Sequence, residues 1–215
     1  MKFVLAGGGT GGHFYPLIAV AEEIRGIERE KKLVPPKLYY LAPEEYNKDA
    51  LFQNDIEFKK IPAGKVRRYF SFQNFTDLFT TGWGTLKALW TLFHIYPDAV
   101  FSKGGFAAVP VTVAAGILRI PVIIHESDAK PGRANKLAST WAERIAISFP
   151  EATKYWPEKV QDKIAYTGTP VRKALHELNV DGGRELLGIT DDLPVILVVT
   201  GSLGSQYINQ VIVDA

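Results

Sequence analysis

Apolar and polar positions along this chain follow two periods that take turns. Short apolar runs recur at Phe3–Ala6, Leu38–Leu41, Ala99–Ser102, Val122–His125, Arg144–Ser148 and Ile164–Thr167. Between them, apolar residues return at three- and four-residue steps over Leu17–Arg25, Thr76–Phe93, Val109–Leu118, Asn135–Thr140 and Glu151–Tyr155. Short runs bounded by turn residues predict strands, and the longer period predicts helices. Their alternation predicts an α/β fold: a Rossmann-like parallel sheet with helices on both faces. Ligands of such folds lie beyond the carboxyl ends of the strands.

One helical pattern is unusually bulky. Phe75, Phe79, Trp83, Leu86, Trp90 and Phe93 fall on one continuous stripe. Just before it, bases and aromatics interleave at Lys65, Arg67, Arg68, Tyr69, Phe70 and Phe72. Two readings are open. The stripe is core and the bases are solvated, or the segment is an interfacial patch. In the second case aromatics enter the headgroup region and each base gains about 1 kcal/mol from anionic lipid.

Gly168-Thr169-Pro170 punctuates the chain after the sixth predicted strand. The expected division is a domain over 1–168, then a linker and the beginning of a second domain over 169–215. In that second part the pattern predicts a helix over Val171–Leu178, a turn at Asp181-Gly182-Gly183 and a helix over Arg184–Leu187. A very apolar strand, Val195–Thr200, then leads into the turn Gly201-Ser202-Leu203-Gly204-Ser205 and a further helix. A strand, a glycine turn and a helix thus follow one another near residues 7, 104 and 201. The third set opens a domain that is not completed, so the chain reads as a piece of a longer protein.

The glycine turns carry the candidate chemistry. Lys2–Ala6 runs into Gly7-Gly8-Gly9-Thr10-Gly11-Gly12-His13 and then a helix. Glycine lets a backbone approach a ligand closely, and a helix N-terminus attracts an anion. His13 stands at the mouth of that turn. The alternative is a tight turn with His13 packed locally. Phe101-Ser102-Lys103-Gly104-Gly105-Phe106 repeats the arrangement. His125-Glu126-Ser127-Asp128 closes the most apolar strand; it reads either as the wall of a polar cleft or as a helix-entry loop with Asp128 as cap. The first turn formally contains G-x-G-x-x-G, but the second strand ends late, near Ala42, for a dinucleotide site.

Composition narrows the classes. The chain has 215 residues, a net charge of +2 and no cysteine. That excludes a disulfide frame and a thiolate metal site, and argues against nucleic acid as partner. The first residues show no leader pattern. No uninterrupted apolar run reaches the ~20 residues of a spanning helix, so any membrane contact is expected to be peripheral.

Taken together the motifs resemble the MurG family. Gly8–His13 matches that family's first glycine loop. Lys103-Gly104-Gly105-Phe106 resembles its second, usually ending in Tyr. His125-Glu126-Ser127-Asp128 resembles His-Glu-Gln-Asn, Gly168-Thr169-Pro170-Val171-Arg172 resembles Gly-Asn-Pro-Val-Arg, and Gly201–Ser205 resembles Gly-Ser-Gln-Gly-Ala. The resemblance implies a GT-B fold and inverting transfer of N-acetylglucosamine from UDP-N-acetylglucosamine to a lipid-linked muramyl-pentapeptide. The implied place is the cytoplasmic face of the bacterial inner membrane, with no cofactor and no metal. It implies His13 as base, and substrate contacts from Thr10, Gly11, Gly12, Gly104, Gly105, Phe106, Glu126, Asp128, Arg172 and Ser202. Of these, Arg172 and Ser202 correspond to diphosphate contacts, and Thr10, His13 and Asp128 to contacts with the transferred sugar. Asp128 stands where the family has an amide and can only accept hydrogen bonds while ionised. Leu203 and Phe106 each lack a polar group. A related transferase with another sugar or lipid, a non-catalytic membrane-recruiting half of a split transferase, and a nicotinamide-dependent oxidoreductase are the competing classes.

Overall fold

A computed structural model describes residues 1–65, 73–177, 179–190, 193–200 and 204–214. The described chain divides into two compact units, Met1–Lys173 and Ala174–Ala215.

The first unit is built on seven parallel strands: β1 (Lys2–Ala6), β2 (Lys37–Ala42), β3 (Ile56–Lys60), β4 (Ala99–Ser102), β5 (Val122–Glu126), β6 (Arg144–Ile147) and β7 (Ile164–Tyr166). Their order is β3-β2-β1-β4-β5-β6-β7. The chain winds outward from β1 in one direction and then, from β4, in the other. The strand order therefore reverses between β1 and β4, where a crevice opens above the carboxyl ends. The helices of this unit are α1 (Gly11–Glu30), α2 (Lys48–Gln53), α3 (Gln73–Ile95), α4 (Val109–Ile117) and α5 (Arg133–Ala138).

Side-chain alternation explains why both sheet faces are covered. Val4, Ala6, Tyr39 and Leu41 point to one face, where Ala88, Leu92, Val111 and Ala115 of α3 and α4 bury them. Leu5, Leu38 and Tyr40 point to the other, against Phe14, Leu17, Ile18 and Ala21 of α1. Strands buried on both sides read as continuous apolar runs, which is how β1 and β2 read.

Two elements escape the sequence pattern. β3 reads Ile-Glu-Phe-Lys-Lys, because an edge strand exposes polar positions. α2 buries only Leu51, too little to set a period, and is started by Asn47, whose Oδ1 accepts from the Ala50 N–H at 2.9 Å. α1 begins at Gly11, well before the expected Leu17. Tertiary packing of Phe14 and Leu17 overrides the low helix propensity of glycine there. The Glu151–Tyr155 helix is a 3-10 segment, Pro150–Tyr155.

α3 corrects the core reading of the bulky stripe. Its inner face is made of small or slim residues: Gly84, Ala88, Leu92 and Ile95 are buried, and Gly84 packs on the Pro62 carbonyl. Phe75, Phe79, Trp83, Leu86, Trp90 and Phe93 are each between 60 % and 70 % exposed. The helix has two apolar faces, and the close fit of the small one leaves the large one outward.

The second unit holds α6 (Val180–Leu186) and α7 (Gln206–Val213). Three expectations for this region fail. The Asp181-Gly182-Gly183 turn is the first turn of α6, because Asn179 caps it: its Oδ1 accepts from the Gly182 N–H at 2.9 Å. The helix over Val171–Leu178 shrinks to a 3-10 turn at Lys173–Leu175, with residue 178 outside the described residues. Val195–Thr200 is not a strand; Val195 to Val199 are exposed and no described residue of this unit offers a strand to pair with. An extended segment needs neighbours for its N–H and C=O groups before it becomes a strand. Gly201, Ser202 and Leu203 lie outside the described residues, as do Arg67, Arg68, Tyr69, Phe70 and Phe72.

Candidate active site

The loops that follow β1, β4 and β5 meet above the carboxyl ends of their strands, and a cavity of about 630 Å³ opens among them. That is within the usual range for a small-molecule site. Gly12 and His13 form one wall, Lys103, Gly105 and Phe106 a second, and Glu126, Ser127 and Asp128 a third. Gly64 and Thr81 of the α3 side and Arg133 to Asn135 of α5 complete it.

The two glycine loops interlock. Gly9 has φ +85°, and a Cβ there would lie 2.6 Å from the Phe106 ring. Gly105 has φ +77°, and a Cβ would lie 3.3 Å from His13 Nε2. Both positions thus need glycine for backbone conformation and for space. Each loop touches the other's functional residue.

Thr10 precedes the first helical residue of α1 without capping it. Its Oγ1 instead lies 2.8 Å from His13 Nδ1. With Nδ1–H donated to that hydroxyl, Nε2 carries the lone pair. Burial holds the His13 imidazole below its ordinary value; Lys103 adds to this, and Asp128 and Glu126 oppose it. His13 is therefore neutral at pH 7 and able to accept a proton. Tyr40, behind the loop, donates from its hydroxyl to the Gly7 carbonyl at 3.0 Å.

Glu126 organises the third loop. Oε1 accepts the Asp128 N–H at 3.0 Å, and Oε2 accepts the Gly132 N–H at 2.8 Å and Asn135 Nδ2 at 3.1 Å. Both oxygens hold protein groups although the residue lines the cavity. Asp128 is exposed at the rim and is no helix cap, since α5 starts after Gly132. Lys103 is 3 % exposed and donates to Ser127 Oγ at 2.8 Å.

Other expected residues take different places. Gly104 lies behind the cavity, where Asn135 Oδ1 would be 2.6 Å from a Cβ. Gly11 packs toward the Tyr15 and Tyr46 side chains. Arg172 lies 4.3 Å from the centroid of the Tyr15 ring and is not part of the cavity wall. Lys65 sits 5.1 Å from the Phe106 ring centroid. His125, buried, points at the linker: Nε2 donates to the Gly168 carbonyl at 2.9 Å, while Nδ1 has no partner among the described residues. Arg133 and Asn135 were not expected. Their only signal was Pro-Gly-Arg-Ala-Asn directly after His-Glu-Ser-Asp, where a polar Asn enters a short helix.

Residues 3–147 match the model of the glycosyltransferase family 28 N-terminal domain. The chain belongs to this family. Among family 28 relatives, a UDP-N-acetylglucosamine–N-acetylmuramyl-(pentapeptide) pyrophosphoryl-undecaprenol N-acetylglucosamine transferase of Treponema denticola is 40% identical over 226 residues, covering 99% of this chain and 55% of that protein. The enzyme of the same name from Clostridium botulinum is 41% identical over 211 residues, covering 98% and 57%. The chain spans about half the length of the curated relatives it matches. Among solved structures, MurG of Acinetobacter baumannii aligns with a TM-score of 0.60 at 25% identity, over 82% of this chain and 47% of that one. A UDP-GlcNAc 2-epimerase from Neisseria meningitidis aligns with a TM-score of 0.57 at 19% identity, over 88% and 50%, a likeness of fold alone. The family 28 domain seen here is the N-terminal Rossmann-like domain of a GT-B fold.

Proposed function

We propose that this chain forms the acceptor side of an inverting glycosyltransferase of peptidoglycan synthesis. The reaction moves N-acetylglucosamine from UDP-N-acetylglucosamine to a lipid-linked muramyl-pentapeptide, converting lipid I to lipid II. One observation carries the reading: the two glycine loops close on a single cavity with the His13 ring against Gly105. The names of the relatives support the same chemistry.

In the proposed step an acceptor hydroxyl attacks the anomeric carbon of the donor. Its proton passes to His13 Nε2, the new glycosidic C–O bond forms, and the bond to the diphosphate breaks to release UDP. The step takes Nδ1–H as donor to Thr10 Oγ1, 2.8 Å away, which leaves Nε2 to accept the proton. Asp128 accepts a sugar hydroxyl at the rim. Arg172 and Ser202 are proposed for the donor diphosphate; for Arg172 this requires leaving the Tyr15 ring. The bases Arg67 and Arg68 and the aromatics Phe70 and Phe72 keep their proposed role in membrane contact.

The outer face of α3 supports a lipid surface as partner. Its exposed aromatics run along a helix whose Thr81 lines the cavity, so a bilayer against that face would present a lipid-anchored acceptor beside the site. Among the described residues no helix is long and apolar enough to cross a membrane. The proposed location, at the cytoplasmic face of the inner membrane and peripheral to it, rests on the exposed face of α3 and on the resemblance to the MurG family.

The test is turnover in a protein that carries both domains. His13→Ala is expected to lower kcat by about 10²- to 10⁴-fold, the range for a lost general base. An unchanged kcat removes His13 from the chemistry.

A further inference from the structure

The cavity wall contains a cation that opens the second glycine motif but has no part in the reaction scheme. Lys103 is 3 % exposed yet lines the cavity, and among the described residues its ammonium has one hydrogen-bond partner, the neutral Ser127 hydroxyl at 2.8 Å. An ammonium has three hydrogens to donate. Among the described residues Lys103 forms no ion pair. Glu126, on the same cavity wall, attracts Lys103 through its charge but spends both oxygens on the Asp128 and Gly132 N–H groups and on Asn135. Asp128 stands at the exposed rim. A buried charge with donors to spare is costly unless a further partner completes its shell.

We propose that Lys103 is a ligand-contacting residue that takes an anionic phosphate oxygen in this cavity. The inference rests on the reading of the cavity as a sugar-phosphate site and adds a residue to it. Arg133, exposed, lining the same cavity and also without an ion pair among the described residues, supplies a second cation. Gly105, which lines the same cavity, adds no side chain beside Lys103. Burial lowers the Lys103 ammonium from its ordinary value while Glu126 and Asp128 raise it. A bound phosphate would raise it further, since a close anion favours the charged form.

The phosphate has two possible sources, the diphosphate of a nucleotide-sugar donor and that of a lipid-linked acceptor. The experiment separates them. The 215-residue chain, labelled with 13C at lysine Cε, is titrated with inorganic pyrophosphate, with UDP-N-acetylglucosamine and with a short-chain lipid-linked muramyl-pentapeptide analogue. The Lys103 signal is assigned by its loss in Lys103→Met. The expected result is a ligand-dependent rise in the pH at which Lys103 titrates. Dissociation constants for the same ligand should rise about tenfold or more in Lys103→Met and Lys103→Gln, and stay within about threefold in Lys103→Arg. Dependence with the nucleotide sugar assigns the donor, and dependence with the lipid analogue assigns the acceptor; either supports the proposal. Equal affinity in the folded Lys103→Met and Lys103→Gln variants, or no ligand moving the Lys103 signal, overturns it. If the sugar ligands bind but ignore Lys103, the residue's role falls and the transferase reading stands. If pyrophosphate binds through Lys103 and neither sugar ligand binds, the residue's role stands and the transferase reading falls.

Discussion

The cavity rim and the outer face of α3 are both conspicuous in the sequence, but only the rim carries its meaning locally. Gly9 and Gly105 have positive φ and meet Phe106 and His13 at distances no Cβ would tolerate without displacement. A glycine-rich turn between a strand and a helix therefore announces itself. The α3 stripe announces only that a helix is amphipathic. Which of its apolar faces turns inward depends on partners far along the chain: Pro62 against Gly84, and α4 against the helix. The difference teaches that backbone chemistry can be read from neighbours in sequence, whereas inside and outside cannot.

The sharpest way to break this contrast is on α3 itself. Leu92 is fully buried and Trp90 is 70 % exposed, two residues apart on one helix. Leu92→Ala should destabilise the first unit by about 2–5 kcal/mol. Trp90→Ala should change stability by no more than about 0.5 kcal/mol. Paired with Trp83→Ala, it should weaken sedimentation with anionic vesicles by about tenfold or more, given that a fully buried apolar side chain contributes about 1.5–3 kcal/mol. Equal melting temperatures for Leu92→Ala and Trp90→Ala would undo the two-face description.

At the rim, Glu126→Gln replaces a carboxylate that accepts three hydrogen bonds by an amide with one acceptor oxygen. A cost of about 1–3 kcal/mol is expected from the groups left unpaired. Amide shifts should spread over residues 127–132 while α3 stays unchanged. A perturbation reaching α3 to the same extent would mean the two regions are not separately built.

The smallest effect is a pH dependence. Burial lowers the His125 imidazole, with Lys103 adding to it; the Gly168 bond and Glu126 oppose. The unfolded chain, with an ordinary histidine near pH 6.5, then binds the proton before the folded chain does. Stability is complete above about pH 6.5 and falls as the pH drops through the folded value. His13 is shifted in the same direction. His125→Gln keeps a donor for the Gly168 carbonyl and removes one titrating ring, so its unfolding free energy should change less between pH 7 and pH 5. An identical slope would remove His125 from the linkage.

Legibility follows the same division. The strands β1, β2 and β4 to β7 were visible because they are apolar runs bounded by turns, and the convergence of the glycine loops follows from a parallel sheet. β3 and α2 were invisible because an edge strand and a helix with one buried residue leave little apolar pattern. Glu126 could be named but not understood: that it holds the Asp128 and Gly132 N–H groups depends on the path of a loop. Arg172 shows another limit: a motif names it, but its contact with the Tyr15 ring could not be read from the sequence. Val195–Thr200 has the composition of a strand, but composition cannot supply the partner strand that would make it one.

The most direct measurement is an amide-shift titration of this chain with a lipid-linked muramyl-pentapeptide analogue and, separately, with UDP-N-acetylglucosamine. The account predicts that the acceptor analogue moves the signals of Gly9 to His13, Gly104 to Phe106 and Ser127 to Asp128 together, with one saturation curve. Saturable shifts confined to other parts of the sheet, with these three loops silent, would contradict it.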